Sequence, residues 1–592
     1  MTADVEVADN SMVGTSSMAY SGIFDGQGHA LTVNYVASAD NCAPFRYING
    51  ATIINLHTKG TINTPYRVAG GVAANLKGTN TIDQCWSSVS ITSTYNGDVT
   101  NGGIVAYNEN GTLDISNCLF DGSMTGTNAY SWGGLIGWRA GTVNMTNCLF
   151  IPASVNVNEY NCATLVRNGA TINNSYYSQT INNNVQGTQV TTEQLSNGYA
   201  TYKLQGKQDG LVWSQTLGMD EQPMLALFAT DGLRVYRTIE GYSNNPEEGV
   251  LIQDAEGYYL IGSVDDWKML AMLVDEGEYE AKARMTADID LGEDQTMIGS
   301  GDNDDNHGVG NVIFQGNFDG QGHTLTIHYN VSQITVAPFR HIQNATIKNL
   351  HVAGTITTSN RHAGGIVGAC YGEQIHSYIT NCISSVNITS NYVNTGDFYG
   401  GAFTGGIAAR LYYYGQLHIT DCIFDGSISG ETRGVVWGGF LGLPDGTVTI
   451  ENSLQIGTFN CSNVISGSNG SGTFSSVFGN GYASRVNVSN NCYYLNQLGN
   501  AQGTLANATT LSNGTITTAL QAGRTEEIWV QDASTGQPIL ALFKKNNGIA
   551  TGLRVITDDD NDTWFTLEGM KLDTKPKQPG VYIKNGRRII IK

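Results

Sequence analysis

A short pattern of apolar and polar positions recurs along the chain: an apolar residue, any residue, Asn, Asp or Gln, then Cys, Leu or Ser. In the first half it reads Ile53…Asn55-Leu56, Ile82…Gln84-Cys85, Ile115…Asn117-Cys118, Met145…Asn147-Cys148 and Ile172…Asn174-Ser175. In the second it reads Ile347…Asn349-Leu350, Ile379…Asn381-Cys382, Ile419…Asp421-Cys422 and Ile450…Asn452-Ser453, with a slipped version at Asn491-Cys492. A spacing of about 27–40 residues holds two or three short strands. Such a unit cannot bury its own apolar face, so units must stack. Asn tolerates the left-handed backbone region that a sharp strand-to-strand bend needs. The residue after it turns inward, where Cys serves as a small hydrophobe. Stacking then piles Cys85, Cys118 and Cys148 above one another at the inter-strand spacing of about 4.8 Å. Parallel side chains in that arrangement do not favour disulfide geometry, so packed thiols are predicted.

The pattern sits inside a long duplication. Residues 24–62 match residues 318–356, sharing Phe-Asp-Gly-Gln-Gly-His from Phe24 and Phe318 and Ala-Pro-Phe-Arg from Ala43 and Ala337. Both copies end alike: Leu195-Ser196-Asn197-Gly198 leads to Gln222–Phe228, and Leu511-Ser512-Asn513-Gly514 leads to Gln537–Phe543. A solenoid end exposes unpaired strand edge and apolar core, so these segments are predicted caps. Trp267 to Leu273 is apolar at helical spacing, with Ser263 and Asp266 as a start signal, and is predicted to cap the second copy at its N-terminus. The layout expected is a first solenoid with C-terminal cap over 1–237, a linker over 238–258, a second solenoid with both caps over 259–555, and a β tail over 556–592. Met1-Thr2-Ala3-Asp4 matches Met285-Thr286-Ala287-Asp288, which lies inside the second copy, so a true start with its export signal is expected upstream of Met1.

A second element recurs as Gly70-Gly71-Val72-Ala73, Gly133-Gly134-Leu135-Ile136-Gly137, Gly364-Gly365-Ile366-Val367-Gly368, Gly405-Gly406-Ile407-Ala408 and Gly438-Gly439-Phe440-Leu441-Gly442. These pairs, each followed by an Asn-Cys-type corner, resemble the GLUG motif of bacterial surface proteins. The resemblance implies a right-handed parallel β-helix of the pectin-lyase-like kind. The fold expected is therefore all-β: two tandem right-handed parallel β-helices with short caps. The tail, Phe565–Met570 and Pro579–Lys592, reads as short β-runs with an Asn585-Gly586 hairpin signal. It resembles the C-terminal segments of Bacteroidetes-type exported proteins, some of which serve as type IX sorting signals.

Composition narrows the partners. The 592 residues include 73 Gly and 10 Pro, which suits many short strands with tight turns. Charged residues are 14% against an ordinary ~25%, so the surface is polar but mostly uncharged. A formal net charge of −21 argues against nucleic acid and anionic membrane. No run of ~20 apolar residues is present to span a membrane. A cell-surface or secreted location is expected, with a host protein or glycan as partner.

Catalytic chemistry is hard to assemble from this sequence. Gly-Gln-Gly-His at 26–29 and 320–323 is similar to a polygalacturonase signature, but the accompanying acidic set is missing, so Asp25, His29, Asp319 and His323 are expected to be structural. Zinc peptidases with GLUG repeats carry His-Glu-x-x-His, which this chain lacks. Its ten histidines are read as surface or corner residues. Inverting hydrolysis needs two carboxylates across a groove, and no coil offers such a pair in both copies. No cofactor is expected; Asp302 and Asp304, with Asp558 and Asp560, are oxygen-rich candidates for calcium but lack the Gly and terminal Glu of an EF-hand. Trp132 matches Trp437 and Trp213 matches Trp529 between copies, which marks these four as structural. Trp138, Tyr399, Tyr412, Tyr413 and Tyr414 lack counterparts and are the candidates for stacking on a sugar. Residues 391–399 and 411–415 lengthen the second copy's loops, and such insertions tend to sit on a solenoid's binding face. The reading is an adhesin-like interaction protein, with a polysaccharide lyase or hydrolase and a structural spacer as rivals.

Overall fold

The computed structural model describes residues 1–7, 9–249, 251–303, 309–372, 375–392, 402–412, 415–430, 436–461, 464, 469–478, 485–489 and 491–544, and in the tail 564–566, 571–572, 580–584 and 587–591. The chain divides into two compact units, Met1–Val250 and Leu251–Lys592. Each is a β-solenoid of parallel sheets.

In the first unit, strand Trp86–Ser93 pairs in parallel with His57–Thr64, which pairs with Ala30–Val36. These belong to a ten-stranded sheet; a six-stranded and a four-stranded sheet form other walls of the coil. Alternation explains the core. Along Trp86–Ser93 every second side chain, from Ser87 to Ser93, is buried. Strands in register pile like on like: Ile53, Ile82, Ile115 and Met145 form one inward column. The second unit repeats this with ten-, eight- and four-stranded sheets.

The corners are where the sequence placed them. Asn55, Gln84, Asn117, Asn147 and Asn174 have φ between 43° and 58°, as do Asn349, Asn381, Asp421 and Asn452 in the second unit. Their side chains link neighbouring coils: Asn55 Nδ2 donates to Asp25 Oδ1 at 3.0 Å, and Asn349 Nδ2 to Asp319 Oδ1 at 2.8 Å. His29 Nδ1 lies 3.3 Å from Asp4, and His323 Nδ1 lies 3.1 Å from Asp288. The Phe-Asp-Gly-Gln-Gly-His segments thus serve one structural purpose twice. All ten cysteines are free thiols; nine are buried and Cys461 is half-buried. The glycine pairs allow coils to meet face to face: a Cβ at Gly103 would stand 2.6 Å from both the Gly134 carbonyl and the Phe120 ring.

The segments expected as C-terminal caps cover each unit from the side. Helices Thr192–Ser196 and Tyr199–Gln205 and the hairpin at Trp213 lie over an outward column of the ten-stranded sheet. That column contains Trp86, Leu119, Leu149 and Tyr176, which pack with Leu204, Trp213 and Leu225. The second unit does the same with Ile383, Ile423 and Leu454 beneath Leu511, Trp529 and Leu540. An outward apolar column needs cover along its length, and this dictates the placement. The helix read from Trp267 runs Val264–Asp275; Ser263 caps it by accepting from the Asp266 amide. Trp267 is fully buried, edge-on to Phe318 and Phe339. In the tail, Gly580–Lys584 and Arg587–Ile591 form the antiparallel hairpin that Asn585-Gly586 signalled.

Candidate functional site

On the first unit, the four-stranded sheet presents Tyr47, Asn75, Tyr107 and Trp138 as register neighbours on successive coils. Beside the last two lies a groove of about 350 Å³ lined by Asp40, Arg67, Val68, Asp98, Thr100, Tyr107, Trp138 and Arg167. Its residues come from successive coils, so stacking converts distant sequence positions into one surface.

Asp98 is the hub. Its carboxylate lies 3.2 Å from Arg167 Nη2 and 3.4 Å from Arg67 Nη2, and its carbonyl accepts from Arg67 Nε at 3.1 Å. Arg67 in turn donates its amide to Asp40 Oδ1 at 2.8 Å. The two arginines differ in setting: the Arg67 side chain is 49% exposed and that of Arg167 only 8%. Arg167 is fixed by Nη1 donating to the carbonyls of Val99 and Ser131, at 3.0 and 3.2 Å. Its guanidinium carbon stands 4.3 Å from the centre of the Trp138 ring, a cation–π contact that holds the indole in place. Burial pulls the Arg167 guanidinium below its ordinary value, and Asp98 opposes that shift. The result is a half-buried aromatic ring beside fixed planar donors and a carboxylate acceptor. Such a surface can stack on an apolar sugar face while reading hydroxyls around its edge.

Of the residues singled out from sequence, Trp138 lies in this groove. Tyr412 does not: it is 0% exposed in the second unit, stacked on Tyr371 at 4.9 Å, with Arg410 Nη1 donating to its hydroxyl oxygen at 2.9 Å. Tyr399, Tyr413 and Tyr414 lie outside the described residues, as do Asp304, Asp558 and Asp560; Asp302 falls on strand Ser300–Asn303. Among the described residues no group of three His, Cys, Asp or Glu side chains could hold a metal ion. Trp132, Trp213, Trp437 and Trp529 are all buried, in keeping with structural roles.

Reading the histidines as surface or corner residues needs correction. His341 and His362 are buried in the second unit. His57 and His351 belong to a duplicated chain beneath the covering segments. His57 Nε2 lies 2.9 Å from Ser88 Oγ, which donates to Asp121 at 2.6 Å; His351, Ser385 and Asp425 repeat this at 2.8 and 2.5 Å. His57 stacks on Trp86 at 3.9 Å and meets the edge of Phe228. Serine stands between histidine and carboxylate, the reverse of a nucleophile–histidine–acid order. The occurrence in both units under the same cover marks the chain as structural.

Sequence reasoning missed Arg67, Asp98 and Arg167, which follow no motif. Counting from the Gly-Gly pairs would have found two of them, since Arg67 and Asp98 lie three and four residues before Gly70 and Gly102. A larger depression of about 540 Å³ lies on the second unit's covering segment, lined by Thr517, Gln521, Glu527 and Lys544. Its one aromatic, Trp529, is 2% exposed and offers no stacking face.

No family model matches the chain, and no curated protein matches it. Among solved structures it is similar to one described as "a putative immunoglobulin A1 protease from Bacteroides ovatus", at 18% identity and a TM-score of 0.35, over 49% of this chain and 94% of that one. A likeness of that depth bears on neither activity nor partner. No described helix is long and apolar enough to cross a membrane.

Proposed function

We propose that this chain is a secreted or cell-surface interaction protein of adhesin type whose first solenoid binds a glycan. One observation carries the reading: the Trp138 ring is pinned by Arg167 at the edge of an open groove whose polar centre, Asp98, is held by two guanidiniums. The groove pairs two arginines with two aspartates, so it suits a neutral ligand. The weakly charged surface and net charge of −21 fit the same choice. The export-like tail motivates the location, and calcium in the acidic loops stays a proposal to test by metal analysis of the purified chain. A glycan and matrix-protein array tests the function. Neutral glycans should bind and Trp138→Ala should remove that binding. Binding unaffected by Trp138→Ala would sink the groove reading. New reducing ends or unsaturated products after incubation with mucin or plant polysaccharides would replace the adhesin by an enzyme.

A further inference from the structure

Two further tyrosines stand on the coils next to Asp98. Asp98 and Tyr130 are register neighbours on the short paired strands Gly97–Asp98 and Ala129–Tyr130. The Tyr130 ring meets Tyr160 edge to face, with centroids 5.3 Å apart and planes at 80°. Tyr160 is 70% exposed, and Tyr130 is half-buried. Two left-handed non-glycine residues follow these tyrosines: Ser131 at φ 73° and Asn161 at φ 54°. Asn161 Nδ2 donates to Ser131 Oγ at 3.2 Å and ties the two turns together. Ser131 also gives its carbonyl to Arg167 Nη1, so the guanidinium that pins Trp138 contacts the backbone next to Tyr130. The Asp98–Arg167 pair thus has Tyr107 and Trp138 with it in the groove, and Tyr130 and then Tyr160 on the coils that follow Asp98.

Building on the glycan reading above, we infer that the site takes an extended neutral oligosaccharide, with one sugar ring against Trp138 and a later ring against the exposed Tyr160 ring, which Tyr130 meets at a right angle. Separate aromatic faces near one polar centre suit a chain with several apolar ring faces and hydroxyls between them. A monosaccharide would use one half only.

The full chain is titrated by calorimetry against cello-, manno-, xylo- and N-acetyllactosamine-type oligosaccharides of one to six rings. Affinity should rise with length. Tyr160→Ala should lower affinity for the longer members roughly tenfold, to that of the shorter ones, and leave the short ones unchanged. Tyr160→Phe keeps the ring and should restore the length dependence. Trp138→Ala should weaken every member. Affinity independent of length, or a Tyr160→Ala curve matching the parent, would overturn this inference and leave the Trp138 groove standing. No binding by any member would overturn both.

Discussion

The same face of the two units is open in one and filled in the other. In the first unit it carries Val68, Thr100, Tyr107, Trp138 and Arg167 around the groove. By strand register the second unit places His362, Phe403, Arg410, Leu443 and Ser476 there. All five are buried, with His362 at 1% and Phe403 at 3% exposed. His362 stacks on Phe403 at 5.3 Å, and Arg410 lies over Phe403 and, at 3.6 Å, over Tyr412. Each unit brings an arginine against aromatic rings. In one the contact holds a ring at a groove; in the other it closes a core. A duplicated frame lets one copy specialise because corners and columns hold the coil while side positions vary freely.

The largest expected effect comes from converting the open face to the filled one. Thr100→Phe with Trp138→Leu copies the second unit's residues into the groove and should cost about 100-fold or more in glycan affinity, the scale of losing a central aromatic anchor. The circular dichroism spectrum should be unchanged. Retained affinity would show that the two faces do not differ in function. The reverse asymmetry is energetic. Arg410→Ala removes a buried cation–π contact together with the hydrogen bond from Arg410 Nη1 to the Tyr412 hydroxyl. The expected loss is about 3 kcal/mol, seen as faster hydrogen exchange in the second unit's strands, with glycan binding intact.

This division also separates what the sequence disclosed from what it hid. Corners were legible because a left-handed bend selects Asn, Asp or Gln at a fixed spacing, as at Asn117 and Asp421. The thiol columns followed from those corners, and the helix at Trp267 from its period and its Ser263 cap. The groove was legible only at Trp138, through its missing counterpart. Asp98 and Arg167 are 69 residues apart along the chain and meet only because stacking sets them two coils apart, so local pattern carries no trace of their ion pair. Tyr412 misled for the complementary reason: an unmatched aromatic marks a difference between copies, and the difference here is a filled core.

The covered histidine chain at His57 gives a pH test confined to the first unit. Burial, and to a lesser degree Lys59, pulls His57 down to about 4. A histidine depressed in the folded state binds fewer protons than the unfolded chain between its two values. Stability is therefore full above about 6.5 and falls with pH down to about 4, by up to about 3 kcal/mol. Asp121, raised by burial, works the opposite way. Comparing the parent with His57→Gln isolates the histidine: the variant's melting temperature should fall less steeply between pH 6.5 and 4. Parallel curves would remove His57 from the account.

The smallest effect concerns how each unit begins. Phe24 and Phe45 meet edge to face at 5.0 Å in the first unit, and Phe318 and Phe339 do so at 4.9 Å in the second. Over the first pair lies Tyr20, tilted on Phe45 at 5.7 Å; over the second lies the fully buried Trp267, delivered by helix Val264–Asp275. That helix depends on Ser263, whose hydroxyl satisfies the Asp266 amide at 3.1 Å and leaves the chain entering in extended conformation. Ser263→Ala should cost about 1 kcal/mol, the usual worth of such a cap. The loss should appear as faster exchange at Phe318 and Phe339 while Phe24 and Phe45 keep their protection. A change at both pairs would mean that the first unit's aromatic start relies on the second, and the two solenoids could no longer be treated as separate frames.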